Sequence, residues 1–230
     1  AEVFLGLGYY MLVVLLGLFI LLGFYFIIYF IIMRSNPFLF IGKIKDPLLL
    51  AFSTASSAAV MPLSMKTADE KLGVSSKISD FVIPIGATVN MDGTALFQCV
   101  TVLFMTQIYG LELAIFDIIL ITITIVSASI GTPAIPGGGV IVLTSVLTGL
   151  GIPTEGLLVI IGIDRILGMF RTAVNVTGDL TATVIFNKWF SKKEESNKYC
   201  WIPTHIRYPE KTMGAAVACS WSVVREYWTP

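Results

Sequence analysis

The chain has 230 residues, 15 basic against 15 acidic, with 56% hydrophobic and only 13% charged residues. Soluble domains carry about 25% charged residues, so an ordinary water-soluble globule is excluded. Zero net charge without a Lys/Arg stripe excludes a polybasic nucleic-acid binder as well.

From Val3 to Met33 no charge occurs, and Arg34 closes the run. At ~1.5 Å per residue this run exceeds a hydrocarbon core of about 30 Å, which predicts a tilted transmembrane helix over 1–35. A secretory signal, with an apolar part of about 7–15 residues, does not fit. Tyr9, Tyr10, Tyr25 and Tyr29 sit toward its two ends, where interfacial anchors are expected.

Beyond it, Ile78–Ile108 and Leu157–Phe186 read as complete spans. Two odder apolar pieces accompany them. Pro47–Met65 is interrupted by the small polar run 53–59, and Phe116–Leu150 by the Gly/Pro-rich run 127–139. Irregular backbone survives at membrane depth only inside protein or along a wet cavity. Both pieces therefore read as re-entrant helical hairpins whose tips meet in the interior.

Charge placement agrees. Arg34, Lys43, Lys45, Lys66, Lys71, Lys77, Lys188, Lys192 and Lys193 fall in connections that the positive-inside rule assigns to the cytoplasmic side or its organellar equivalent. The connections near 109–117 and 149–156 hold Glu112, Asp117 and Glu155 without a basic residue. This pattern requires both hairpins to enter and leave on their own sides. The expected fold is an all-α membrane protein, an inverted repeat of re-entrant hairpin plus broken transmembrane helix. Its transport core covers 36–190: hairpin 47–70, helix 78–108, hairpin 114–150 and helix 156–188. Such repeats place substrate and coupling ions near the midplane.

Ionisable residues inside a membrane are costly and mark function. In 78–108 Asp92 lies within Asn90-Met91-Asp92-Gly93, a run of poor helix formers that would unwind locally. Unwound carbonyls and a carboxylate suit a hard cation; the alternative is a kink with a hydrogen-bonded Asp. In 156–188, Arg171, Asn175 and Asp179 recur every four residues on one helical face. The guanidinium suits a carboxylate, held bidentately. Asn175 offers an amide or carbonyl and Asp179 a second cation ligand; the alternative is an Arg171–Asp179 ion pair. Asp164 and Arg165 are either interfacial or locally paired.

The strings Ser56-Ser57 with Met61-Pro62, Asn90-Met91-Asp92-Gly93-Thr94, Ala128–Thr132 with Ile135-Pro136-Gly137, and Arg171–Asp179 resemble the C-terminal half of the dicarboxylate/amino acid:cation symporters, over about 1–190. The resemblance implies secondary active, Na+- or H+-coupled transport of acidic amino acids or C4-dicarboxylates by an elevator motion against a separate scaffold. It implies that Ser56, Ser57, Ile135, Pro136 and Gly139 enclose the substrate. Thr94 and Arg171 would receive its side-chain carboxylate, and Thr172 and Asn175 its main-chain groups. It implies one sodium site from Gly86, Asn90, Asn175 and Asp179, a second from Thr88, Ser129, Ile130 and Thr132, and a third to which Asn90 and Asp92 contribute. No organic cofactor is implied. Expected partners are membrane lipid, a small anionic substrate, and an oligomer or other membrane subunits, but not nucleic acid. Among departures, Gly168 stands where amino-acid-transporting members usually carry an Asp for the substrate amine, and Pro133-Ala134 alter the second tip. The family's scaffold helices and the early transport-domain helix that completes the third sodium site have no match in these residues. A truncated, non-transporting homologue serving as a structural subunit is the competing expectation.

An enzyme is not expected: no nucleophile–base pair, metal cluster or phosphate loop occurs. Cys99, Cys200 and Cys219, with His205 as the single histidine, lack metal or disulfide spacing. Residues 191–230 hold ten of the thirty charges and match nothing in the family, leaving a polar tail of unassigned role.

Overall fold

The computed structural model describes residues 2–200, with side chains from 5 to 190. Among the described residues it contains eight helices and no strand. They are α1 Glu2–Met33, α2 Pro37–Thr54, α3 Ser57–Leu72, α4 Ser76–Val89, α5 Asp92–Ile108, α6 Ile115–Ser129, α7 Gly138–Gly149 and α8 Leu157–Cys200. Contacts divide the chain into two units, 1–185 and 186–230.

In the first unit α2 packs on α3 and α3 on α4, while α5 packs on α1, α6 and α7. One apolar cluster joins Val14 and Leu18 of α1 to Phe97 and Met105 of α5, Ile125 of α6, Leu143 of α7, and Ile160 and Leu167 of α8. A second joins Tyr29, Phe40, Ile44, Val60 and Ile83 to Val176 and Leu180 of α8. Both clusters use α1 and α8, so the polar face of α8 runs between two dry regions.

Helix α1 turns Tyr10, Val14, Leu18, Tyr25 and Tyr29 inward, and its remaining surface (Leu12, Leu16, Phe19, Ile20, Ile27, Ile31) is exposed. Gly17 permits that approach, since a Cβ there would lie 3.0 Å from Leu96. Tyr9 alone of the four expected anchors is exposed. Tyr10 instead bonds Thr101 at 2.8 Å and Tyr29 stacks on Phe40, because a phenol buried beside α5 or α2 finds a partner there. Leu5–Met33 is the one described stretch long and apolar enough to cross a membrane as a single helix.

The expected break falls within 78–108: α4 ends at Val89 and α5 starts at Asp92. The first helix pair is longer than the expected 47–70, because Asn36 accepts from the Phe38 N–H and Pro37 opens α2 ten residues earlier. Pro47 is accommodated within that helix. Gly73, at φ 69°, ends α3. Helix α8 runs on past the expected 188 to Cys200, through a Lys/Glu-rich run of good helix formers. In the second unit Phe186 stacks on Phe190 and meets Trp189 edge-on. The tail expectation for 201–230, with His205 and Cys219, lies outside the described residues.

Candidate substrate and cation site

Arg171 is buried, and one guanidinium nitrogen donates to Asp164 Oδ1 at 3.2 Å. Asp164 sits two turns earlier on the same face of α8, so the local-pairing alternative holds. The guanidinium also lies 4.5 Å from the centroid of the Phe97 ring, which supplies a cation–π face. Two glycines leave it room. A Cβ at Gly139 would lie 3.2 Å from Arg171 Nη1, and one at Gly168 would lie 3.5 Å from Nη2 and 3.8 Å from Ala55 Cβ. The missing side chain at Gly168 would therefore sit between the guanidinium and the first tip.

The two tips meet. Ala134 carbonyl oxygen accepts both Ser56 Oγ at 2.8 Å, across 78 positions of sequence, and Ala58 N–H at 3.2 Å. The first tip turns at Ala55, a left-handed residue (φ 52°) despite its Cβ, a conformation costing roughly 1–2 kcal/mol. Strain of this kind persists only where the surroundings enforce it. In the second tip Gly138 has no alternative: a Cβ would fall 2.3 Å from the Pro133 carbonyl oxygen. The Pro133-Ala134 departure is thus absorbed by backbone contacts.

Between the tips and α8 lies a cavity of about 20 Å³, room for about one water, lined by Ser57, Met91, Thr94, Thr132, Ile135, Gly139, Arg171, Thr172 and Asn175, with Ala55, Pro133 and Ala134. Seven of the nine expected substrate residues thus share one cavity wall. Ser56 joins the tips beside it, and Pro136 is exposed. A substrate of four or five carbons requires the tips to part.

Asn175 is committed to the break in α4–α5. Its Oδ1 accepts the Gly93 N–H at 2.8 Å, one of the donors a helix start leaves unpaired, and its Nδ2 donates to Thr94 Oγ1 at 3.2 Å. Beyond it, Asp179 Oδ1 accepts Asn90 Nδ2 at 3.0 Å, and Gly86 makes space, since a Cβ there would lie 2.6 Å from that oxygen. Asp92, exposed at the rim, accepts the Tyr25 hydroxyl at 2.6 Å. Two carboxylates, the Asn90 amide oxygen and the carbonyls freed at a helix end are hard oxygen donors, a set that fits a hard cation such as Na+.

Not every expected ligand joins this cluster. Thr88 is exposed and bonds the Pro84 and Ile85 carbonyls, while the buried Ser129 and Thr132 hydroxyls bond Val126 and Ala128 carbonyls. These local bonds do not join the two segments, and Ile130 is half exposed. Sequence reasoning gave no site role to Phe97, Met91, Gln98 (whose amide donates to the Gly139 carbonyl at 2.9 Å) or Tyr25. Asp164 had a signal, its seven-residue spacing from Arg171; the others are joined only by tertiary packing.

The sodium:dicarboxylate symporter family model matches residues 1–189. The chain belongs to that family. It is 44% identical over 197 residues to excitatory amino acid transporter 3 of Mus musculus, covering 84% of this chain and 37% of the relative. Similarity to neutral amino acid transporter B(0) of Rattus norvegicus is 44% over 183 residues, covering 77% and 32%. Excitatory amino acid transporter 4 of Rattus norvegicus is 44% identical over 174 residues, covering 75% and 31%. The chain thus spans about a third of the length of the curated relatives it matches. Membership makes it an integral membrane protein, and family and relatives alike are transporters rather than enzymes.

Proposed function

We propose that the chain forms the substrate- and cation-binding part of a Na+-coupled symporter for small carboxylates, acidic amino acids or C4-dicarboxylates. In this reading α2–α3 and α6–α7 are oppositely directed re-entrant hairpins, and the domain moves as an elevator within an oligomer or beside other membrane subunits. The observation that carries it is Arg171: a buried guanidinium at a hydroxyl-lined cavity where both helix-pair tips meet. One nitrogen is taken by Asp164, and the rest of the fork is free to hold a substrate carboxylate once the tips part. Asn90 and Asp179 at the break offer cation ligands beside it, the arrangement that couples ion and substrate occupancy.

The test is uptake of radiolabelled aspartate and succinate into proteoliposomes holding the full-length gene product, with Na+ or choline outside. Na+-dependent uptake that Arg171→Ala abolishes is the expected result. Absence of uptake of every acidic amino acid and C4-dicarboxylate tried, with the protein correctly inserted, refutes it.

A further inference from the structure

Among the described residues of α1, Tyr25 bonds an ionisable residue of the break, and its position is constrained from two sides. Its hydroxyl donates to Asp92 Oδ2 at 2.6 Å, which leaves Oδ1 for another ligand. Its ring end lies against α8: a Cβ at Gly178 would fall 2.7 Å from Tyr25 Cζ and Oη and equally 2.7 Å from Asn90 Nδ2. Asn90 in turn donates to Asp179. Tyr25, Asn90 and both carboxylates thus meet at one notch that only glycine leaves open.

We infer that Tyr25 is a positioning residue of the coupling-cation site, holding Asp92 in its ligating orientation. The inference rests on the reading that a cation occupies the Asn90–Asp92–Asp179 cluster. Asp92 is exposed at the rim, where a carboxylate would otherwise sample several rotamers. A charged hydrogen bond to one oxygen fixes it before the ion arrives, so binding loses less side-chain entropy. The phenol is also neutral. A Lys or Arg in its place would orient Asp92 equally well but would cancel the negative charge that attracts the cation.

The experiment is equilibrium binding of radioactive sodium to the purified full chain in lipid nanodiscs, at constant ionic strength with choline, and competition by Li+. Tyr25→Phe keeps the ring and removes the donor. Its Kd for Na+ is expected to rise roughly three- to tenfold, and Na+/Li+ discrimination to narrow, because a loosened ligand fits either ion. Gly178→Ala, whose Cβ would displace both Tyr25 and Asn90, weakens Na+ binding at least as much as Tyr25→Phe. Tyr10→Phe loses a comparable buried phenol bond, to Thr101, and leaves Na+ affinity unchanged. Wild-type affinity in a monodisperse Tyr25→Phe protein overturns the inference, as does an equal loss in Tyr10→Phe. Saturable Na+ binding in the wild type with no Tyr25 effect leaves the cation reading intact and sinks only the positioning role. A wild type that binds no Na+ overturns both.

Discussion

Asp164→Asn isolates what the buried ion pair does for the empty and the loaded site. Asp164 and Arg171 are both buried and lie 3.2 Å apart. At that separation the attraction is about 5 kcal/mol for an effective dielectric of 20, an upper bound because the charge centres lie farther apart than the nearest atoms. Breaking a buried pair by removing one partner costs about 3–5 kcal/mol. Asparagine keeps the shape and an acceptor oxygen, and Phe97 still faces the guanidinium, so a loss of about 2–4 kcal/mol is expected without substrate.

Substrate should reverse the sign of part of that loss. In the wild type Asp164 competes for the guanidinium with an incoming carboxylate; in the variant the carboxylate becomes the sole counter-charge. The melting temperature of the purified chain, followed by fluorescence-detected size exclusion, should therefore fall by about 5 °C or more in the absence of substrate. The upward shift produced by saturating substrate and Na+ should be larger in Asp164→Asn than in the wild type. An equal drop with and without substrate would refute the competition, since Asp164 would then be stabilising α8 without touching the binding balance.

Three further outcomes follow from the same geometry. Gly168→Asp places a carboxylate between Arg171 and Ala55 and should shift preference from succinate toward aspartate by tenfold or more in competition uptake, about 1.4 kcal/mol; unchanged preference refutes the placement. Gly86→Ala forces Asp179 Oδ1 from a 2.6 Å approach, an overpacking cost of about 1–3 kcal/mol, against a helix-propensity gain near 1 kcal/mol. The net of about 0–2 kcal/mol lowers melting by at most about 8 °C, while sodium affinity falls, as read by radioactive sodium binding. The third concerns pH: the hydrogen bond from Lys71 holds the Asp46 carboxyl below its ordinary range. A depressed folded-state value means this α2–α3 tie is intact above the unfolded value and is lost as pH falls through the folded one. Protease nicking at the open end of the helix pair should rise modestly on acidification, and Asp46→Asn should remove that dependence, small because both side chains are 42% exposed.

The features legible in sequence were those with a local physical cause. Asn90 and Gly93 make poor helix, and the chain breaks at 90–91; a charge-free run makes α1; small and Gly/Pro residues make the tips. The α8 face of Arg171, Asn175 and Asp179 follows from helical period alone. What stayed hidden depends on non-local packing. Tyr25 and Asp92 are 67 positions apart, and nothing near Tyr25 distinguishes it from an interfacial tyrosine. Helical period puts Asn175 on the face of Arg171 and Asp179, but that its side-chain amide also holds Gly93 and Thr94 is visible only once α5 is set against α8. Helix ends were the least legible, since Pro37 and the Lys/Glu run after Lys188 extend helices that apolar periodicity alone would end sooner.

Under the proposed function, Asn175 would couple ion and substrate without a moving relay. Its amide bonds Gly93 and Thr94, and its side chain lines the cavity that holds Arg171. Asp92 and Asn90 lie one to three residues before Gly93 in the same break, and Asn90 is bonded to Asp179, one turn beyond Asn175 on α8. Ordering the break from either end therefore orders the other. Under the proposed function, a cation that fixed Asn90 and Asp92 would fix Thr94 for a substrate, and a substrate held by Thr94 and Arg171 would steady the cation ligands. Coupling of this kind is reciprocal by thermodynamic necessity: the factor by which Na+ raises substrate affinity equals the factor by which substrate raises Na+ affinity. In the proposed reading the interruption between Val89 and Asp92 is the element through which the two sites would be linked, which gives a functional reason for an unwound turn in place of an unbroken helix.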